Sequence, residues 1–176
     1  HEKMRFVSFS PETFLKLKGD SLFTYPRKGT IDATLPDAEK RLLTDPKELE
    51  EHQFAVEEAK RDLSLVSKSV AVKRFRYLER VERGAGAILQ SSSEVCGRLP
   101  SNYHHYLGEL LFKLIPAGSI TGSPKAATIA RLKEIETYDR QFYSGVAGIF
   151  DGQEIDSTVL IRFIEEEKGV LTFKSG

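Results

Sequence analysis

The chain has 176 residues, with 26 Lys+Arg against 26 Asp+Glu and a formal net charge of zero, so it lacks the basic footprint of a nucleic-acid binder. Hydrophobic residues make up 40%, enough for a core, and no apolar stretch reaches the roughly 18 residues of a membrane span. The single cysteine, Cys96, excludes an internal disulfide framework and cysteine-built metal knuckles. No charged start, apolar run and cleavage site opens the chain. These features lead us to expect one soluble, cytoplasmic domain over residues 1–176. Its ends fall inside strand-like segments, around Met4–Phe9 and Leu171–Lys174, which suggests a fragment of a longer protein.

Thr13–Leu17 and Leu22–Tyr25 flank Lys18-Gly19-Asp20-Ser21, a hairpin pattern. Pro26-Arg27-Lys28-Gly29-Thr30 then punctuates the strand. A helix is predicted from Pro46 to about Leu65, with Asp45 as N-cap, Pro46 in the first position and Glu48 three residues after the cap. Leu49, Phe54, Val56, Leu63 and Leu65 are its candidate apolar contacts. Val70–Phe75 reads as a strand, while Gly84 and Gly86 leave Val81–Leu89 ambiguous. A second helix is expected over Tyr103–Leu114, then a loop Pro116-Ala117-Gly118-Ser119-Ile120-Thr121-Gly122-Ser123-Pro124-Lys125. The third helix spans roughly Pro124–Ile135, capped by Ser123. A β-meander closes the chain: Tyr143–Phe150, the turn Asp151-Gly152, Ile155–Glu165, the turn Lys168-Gly169 and Val170–Lys174. This order indicates an α+β fold with mainly antiparallel sheet.

Several residues could carry chemistry. Lys28 stands at a strand end beside a glycine turn. Desolvation or a second cation, Arg27 for example, would favour loss of its proton and nucleophilic behaviour; the alternative is a solvated turn lysine. Glu48, Glu50, Glu51, Glu57 and Glu58 crowd one helix. Glu48 and Glu51 share a face and offer the hard oxygens that Mg²⁺ takes; the alternative is a solvated acidic helix start. Strand alternation places Arg162 on the side of Leu160 and Ile164. A buried guanidinium needs a partner, either a protein carboxylate or a ligand carboxylate held bidentately. Tyr143, Gly145 and Gly148 on the adjoining strand offer a phenol and bare backbone for an anion pocket. The Gly118–Lys125 loop offers amides at a helix start, but the Gly-Lys-Ser/Thr order of a P-loop is absent. His104 and His105 have no metal-ligand partners at useful spacing and read as structural or exposed.

Taken together, Ser10-Pro11-Glu12, Pro26-Arg27-Lys28-Gly29-Thr30, Lys47-Glu48-Leu49-Glu50-Glu51-His52, the Pro116–Lys125 run, Tyr143-Ser144-Gly145 and Ile161-Arg162 stand in the order seen in chorismate-utilising enzymes. The resemblance covers nearly the whole chain. It implies antiparallel β-sheets packed face to face with helices outside, incomplete at both ends, in one partial chorismate-binding catalytic domain. Within the family, Pro-x-Lys-Gly-Thr resembles aminodeoxychorismate synthase component I, where anthranilate synthases carry Ala in place of the Lys. By that resemblance Lys28 adds to C2 of chorismate and displaces the C4 hydroxyl. Ammonia from a glutamine amidotransferase subunit then enters at C4 and expels the lysine, a step of folate (p-aminobenzoate) biosynthesis. Glu12 is implied as the acid/base at the C4 hydroxyl. Glu51 is implied as a Mg²⁺ ligand, with Glu48 acting directly or through water. Tyr143 and Arg162 are implied to hold a substrate carboxylate, with Thr121, Gly122 and Gly145 also lining the substrate. Arg27 stands where relatives usually have Ile, Gln90 where many have His, and Glu57-Glu58-Ala59-Lys60-Arg61-Asp62 where they often read Asp-x-x-Arg-Asn-Asp. The rival expectations are an anthranilate or isochorismate/salicylate synthase, and a non-catalytic subunit that binds an amidotransferase.

Overall fold

The computed structural model describes residues 4–10, 12–84, 86–122 and 124–175. In chain order the elements are β1 (Met4–Ser8), β2 (Thr13–Lys18), β3 (Ser21–Thr24), β4 (Arg27–Asp32), α1 (Ala38–Thr44), α2 (Pro46–Ser64), β5 (Lys68–Arg83) and β6 (Gly86–Arg98). A 3-10 turn (Tyr103–His105) precedes α3 (Leu107–Leu114), α4 (Gly118–Thr121) and α5 (Lys125–Ile135). Strands β7 (Val146–Phe150), β8 (Ile155–Val159), β9 (Phe163–Glu167) and β10 (Val170–Lys174) follow. They form two compact units, residues 1–19 with 108–176, and residues 20–107.

The first unit holds two sets of antiparallel strands. In one, β9 lies between β1 and β10. In the other, β8 lies between β2 and β7. β8 alternates between buried Ile155, Ser157 and Val159 and the more open Asp156 and Thr158, as a strand with one covered face must. The turn at Asp151-Gly152 forms as expected, with Asp151 Oδ1 accepting the backbone N–H groups of Gln153 at 2.9 Å and Glu154 at 2.7 Å.

The second unit is built on β6. Along one edge β6 pairs with β5; along the other it pairs successively with β3 and β4, always antiparallel. Helices α1 and α2 cover this sheet. Ala38 and Leu42 from α1 pack on Leu89 of β6, with Ile31, Ala33 and Leu78 around them. Helix α2 starts as predicted: Asp45 Oδ1 accepts from the N–H groups of Lys47 at 2.9 Å and Glu48 at 3.2 Å, and Pro46 fills the position that needs no donor. Its inner face buries His52, Val56 and Leu63.

The expected α+β class with antiparallel sheet stands, and four details change. The strand expected over Ile155–Glu165 is two strands in different sheets, because residues 160–162 turn the chain and Arg162 has φ +48°. Arg162 is therefore exposed in a connection and does not sit on the apolar strand face. Tyr143 lies in the turn before β7 rather than in the strand. The expected strand Val70–Phe75 is a small part of a β5 of 16 residues, whose hairpin with β6 turns near Gly86. The long loop contains a helical turn, α4, and α5 begins at Lys125 with Pro124 at the cap; Ser123 lies outside the described residues.

Candidate functional site

In the second unit, β4 and α2 bring Lys28, Glu48 and Glu51 onto neighbouring elements. Lys28 is exposed on β4. Arg27, the nearest candidate for a second cation, is ion-paired with Glu79 of β5 at 2.9 Å, so its charge is compensated. At Gly29 the backbone has φ +84°, and a Cβ there would come within 2.7 Å of Glu48 Oε2 and 3.0 Å of Leu42 Cδ1. Only a bare Cα lets the Glu48 carboxylate lie against the strand that carries Lys28. Glu48 is half-buried and Glu51 exposed, one turn apart on the same side of α2. Glu51 Oε1 lies 3.9 Å from Lys47 Nζ, a loose surface pair. Among the described residues no three His, Cys, Asp or Glu side chains cluster as a complete metal site.

Sequence reasoning missed His52. It is completely buried under β6, with Nε2 2.7 Å from Ser93 Oγ and Nδ1 3.4 Å from Ser91 Oγ. Its ring meets Phe75 edge-on at 5.7 Å. Burial pushes the His52 pKa down; a hydrogen bond to the Lys28 backbone pulls it up, and the Arg76 charge lowers it. The available signal was Ser91-Ser92-Ser93, three consecutive polar residues in a strand otherwise rich in apolar ones, all with zero exposure. Small hydroxyls buried in a row need partners.

In the first unit, Ser144 N donates to Leu160 O and Leu160 N to Gly145 O, each at 2.8 Å. This short backbone clasp holds the Tyr143 turn beside the connection that carries Arg162. The Tyr143 ring packs at 6.2 Å from Phe163, the residue after Arg162. Among the described residues no carboxylate is ion-paired with the Arg162 guanidinium. Glu12 is half-buried just before β2; its carbonyl accepts from Val159 N at 3.0 Å and Thr158 Oγ1 at 2.7 Å. Thr121 is buried, and it shares a cleft wall with Arg140 and Ser144, next to the Tyr143 turn. The amides of Ile120, Thr121 and Gly122 bond back to Ala117 and Gly118, so this loop is not the open row of donors expected for an anion. Gly122 ends α4 at φ +70°.

The family model for chorismate binding enzymes matches residues 1–176, and the chain belongs to that family. It is 48% identical over 172 residues to an uncharacterized PabA-like protein of Pasteurella multocida, covering 98% of this chain and 53% of the relative. It is 33% identical over 162 residues to anthranilate synthase component 1 of Archaeoglobus fulgidus, covering 90% and 38%. In structure it resembles anthranilate synthase component I of Streptococcus pneumoniae, with TM-score 0.78 and 26% identity over 97% of this chain and 38% of that one. It shares its fold with the menaquinone-specific isochorismate synthase of Escherichia coli, with TM-score 0.78, 19% identity and coverage of 97% and 39%. The chain thus spans about half the length of the first of these relatives. No helix among the described residues is long and apolar enough to cross a membrane.

Proposed function

We propose that the chain is the chorismate-binding part of an aminodeoxychorismate synthase component I, which aminates chorismate at C4. The observation that carries this reading is Lys28, exposed on β4 next to Gly29, the bare position against which the Glu48 carboxylate of α2 packs. The Lys28 amine attacks C2 through its nitrogen lone pair, the ring double bond shifts, and the C4 hydroxyl leaves as water with a proton from Glu12. Ammonia then forms the C–N bond at C4, the double bond returns, the Lys28 amine is released, and a proton from the new C4 ammonium returns to Glu12. The net change is chorismate plus ammonia to aminodeoxychorismate plus water. A glutamine amidotransferase subunit supplies the ammonia, and the product feeds p-aminobenzoate and folate synthesis in the cytoplasm.

Tyr143 and Arg162 grip a substrate carboxylate through a phenol and a planar guanidinium fork. Thr121, Gly122 and Gly145 complete the substrate lining. Glu48 and Glu51 fit Mg²⁺ in kind and in spacing, since this ion is held by one or two carboxylates together with waters and substrate oxygens. When bound, Mg²⁺ supplies positive charge against a substrate carboxylate.

Product analysis by mass spectrometry tests the reading, using the full-length protein with chorismate, Mg²⁺ and ammonium. Aminodeoxychorismate supports it, with formation lost in Glu51→Gln or without Mg²⁺. Anthranilate or isochorismate would place the protein with its other relatives, and unchanged chorismate would make it a non-catalytic subunit.

A further inference from the structure

Strand β4 is bulged at Lys28. Arg27 pairs with Ser92 and Thr30 with Gln90, so Lys28 and Gly29 together oppose the single residue Ser91. Such a bulge takes backbone groups out of the ladder and re-aims the side chains on it. Ser91 Oγ takes up the displaced carbonyl by donating to Lys28 O, and the His52 ring stands behind it, with Nδ1 3.4 Å from Ser91 Oγ.

The hydrogen-bond pattern decides which ring nitrogen carries the proton. Ser91 Oγ spends its one proton on Lys28 O, so it can only accept from His52 Nδ1 at 3.4 Å, and Ser93 Oγ, which also accepts the Arg76 backbone N–H at 2.8 Å, donates its own proton to Nε2 at 2.7 Å. The imidazole proton is then on Nδ1, the side facing Ser91 and the Lys28 carbonyl. Arg76 extends the network, its guanidinium donating to the carbonyls of Leu43 at 2.9 Å and Leu42 at 2.7 Å at the end of α1. Residues of β4, β5, β6, α1 and α2 thus meet in one network around a buried ring, and α2 also carries Glu48 and Glu51.

We propose that His52 is a positioning residue that locks the bulge at Lys28, fixing the direction in which the Lys28 amine leaves the strand and its placement relative to the Glu48–Glu51 face of α2. The proposal rests on the reading of Lys28 as the nucleophile. A flat ring with a donor on one side and an acceptor on the other can link strand and helix at fixed separation. An apolar residue of similar volume fills the space but withdraws the donor that orients the Ser91 hydroxyl towards the Lys28 carbonyl and leaves the Ser93 proton without its acceptor.

The test uses the full-length protein as wild type, His52→Phe, His52→Asn and Ser91→Ala. Asn keeps an N–H donor near the place of Nδ1. Backbone hydrogen exchange is followed over residues 27–32, and kcat and KM are measured for C4 amination with chorismate, Mg²⁺ and ammonium. His52→Phe should speed that exchange and lower kcat, each by about ten- to a hundredfold, with KM within about twofold. His52→Asn should restore most of both, and Ser91→Ala should fall between wild type and Phe. Unchanged exchange in both His52→Phe and Ser91→Ala, equal losses in Phe and Asn, or a loss confined to KM would overturn the proposal. Should His52→Phe fail to fold, exchange in Ser91→Ala decides. A wild type that makes no aminated product defeats the functional reading, while the exchange measurements still decide whether His52 locks the bulge.

Discussion

Replacing Gly29 with Ala probes the contact between the Lys28 strand and the acidic helix. Two costs add at this position. A non-glycine residue at φ +84° costs about 1–2 kcal/mol, partly offset by about 0.4–1 kcal/mol from the stiffer unfolded chain. The new methyl also lies 2.7 Å from Glu48 Oε2 and 3.0 Å from Leu42 Cδ1. Both are closer than van der Waals contact; the Glu48 carboxylate ends a flexible side chain and can swing aside, while the buried Leu42 must give by a few tenths of an ångström, so the steric cost lies at the low end of about 1–3 kcal/mol. Gly19→Ala is the control, since φ is +59° there and nothing lies within 4 Å of the added Cβ. The two variants share the backbone cost and differ in the steric one, so Gly29→Ala should be less stable than Gly19→Ala by about 1–2 kcal/mol. At about 2–4 °C per kcal/mol the gap in Tm is several degrees, measurable by calorimetry on the full-length protein. Chorismate turnover should fall in Gly29→Ala alone, because the displaced carboxylate is a proposed metal ligand. Adding Glu48→Ala to Gly29→Ala should recover part of the lost stability. Equal melting of the two single variants would refute the close packing of Glu48 on β4.

Three further outcomes follow from the same geometry. Lys28→Ala should abolish C4 amination while leaving Tm nearly unchanged, since exposed substitutions shift stability by no more than about 0.5 kcal/mol. Chorismate without ammonia should leave a covalent adduct on the Lys28 peptide of the wild type, and undiminished amination by the variant would rule out the covalent route. Arg162→Lys should raise KM for chorismate by about ten- to over a hundredfold, the value of a lost charge-assisted bond of about 1.5–3 kcal/mol, with Tm unchanged; a Tm loss at constant KM would make Arg162 structural. Finally, the Arg140 guanidinium beside Glu136 holds its carboxyl below the usual carboxylate range. The pair therefore stabilises above the ordinary Glu pKa and is lost as pH falls through the folded-state value. Glu136→Gln should lower Tm at neutral pH and reduce the Tm drop between about pH 7 and about pH 3, and an undiminished drop would show that the pair does not contribute.

What could be read from residues alone was what local chemistry dictates. Asp45, Pro46 and Glu48 announced the start of α2, and Asp151-Gly152 announced its turn, because caps and turns are satisfied within a few residues. Arg162 was misplaced because Val159 to Ile164 reads as one apolar strand, and nothing local marks the switch between sheets. The Tyr143 turn is nevertheless joined to the segment before Arg162, through the Leu160 clasp rather than by the expected strand pairing. His52 was hidden for a different reason. On α2 it sits among charged neighbours, and its burial depends on Ser91 and Ser93 from a strand about 40 residues away, since the two pairs are separated by 39 and 41 positions. The acidic pair on α2 was legible as a face, but its contact with Gly29 was not, because only the fold brings strand and helix to that distance.

The links in the network around His52 join residues at very different separations along the chain. Arg76 and Ser93 are 17 positions apart, Arg76 and Leu42 34, His52 and Ser93 41, and Ser91 and Lys28 63. Loop-closure entropy rises with each step, and contacts distant in sequence slow folding. The β5–β6 hairpin can thus form early with its Arg76–Ser93 link, and α2 can dock on it next. The link to β4 spans the most chain and so carries the largest closure cost. The segment that displays Lys28 is thus held by the contact that constrains the unfolded chain most.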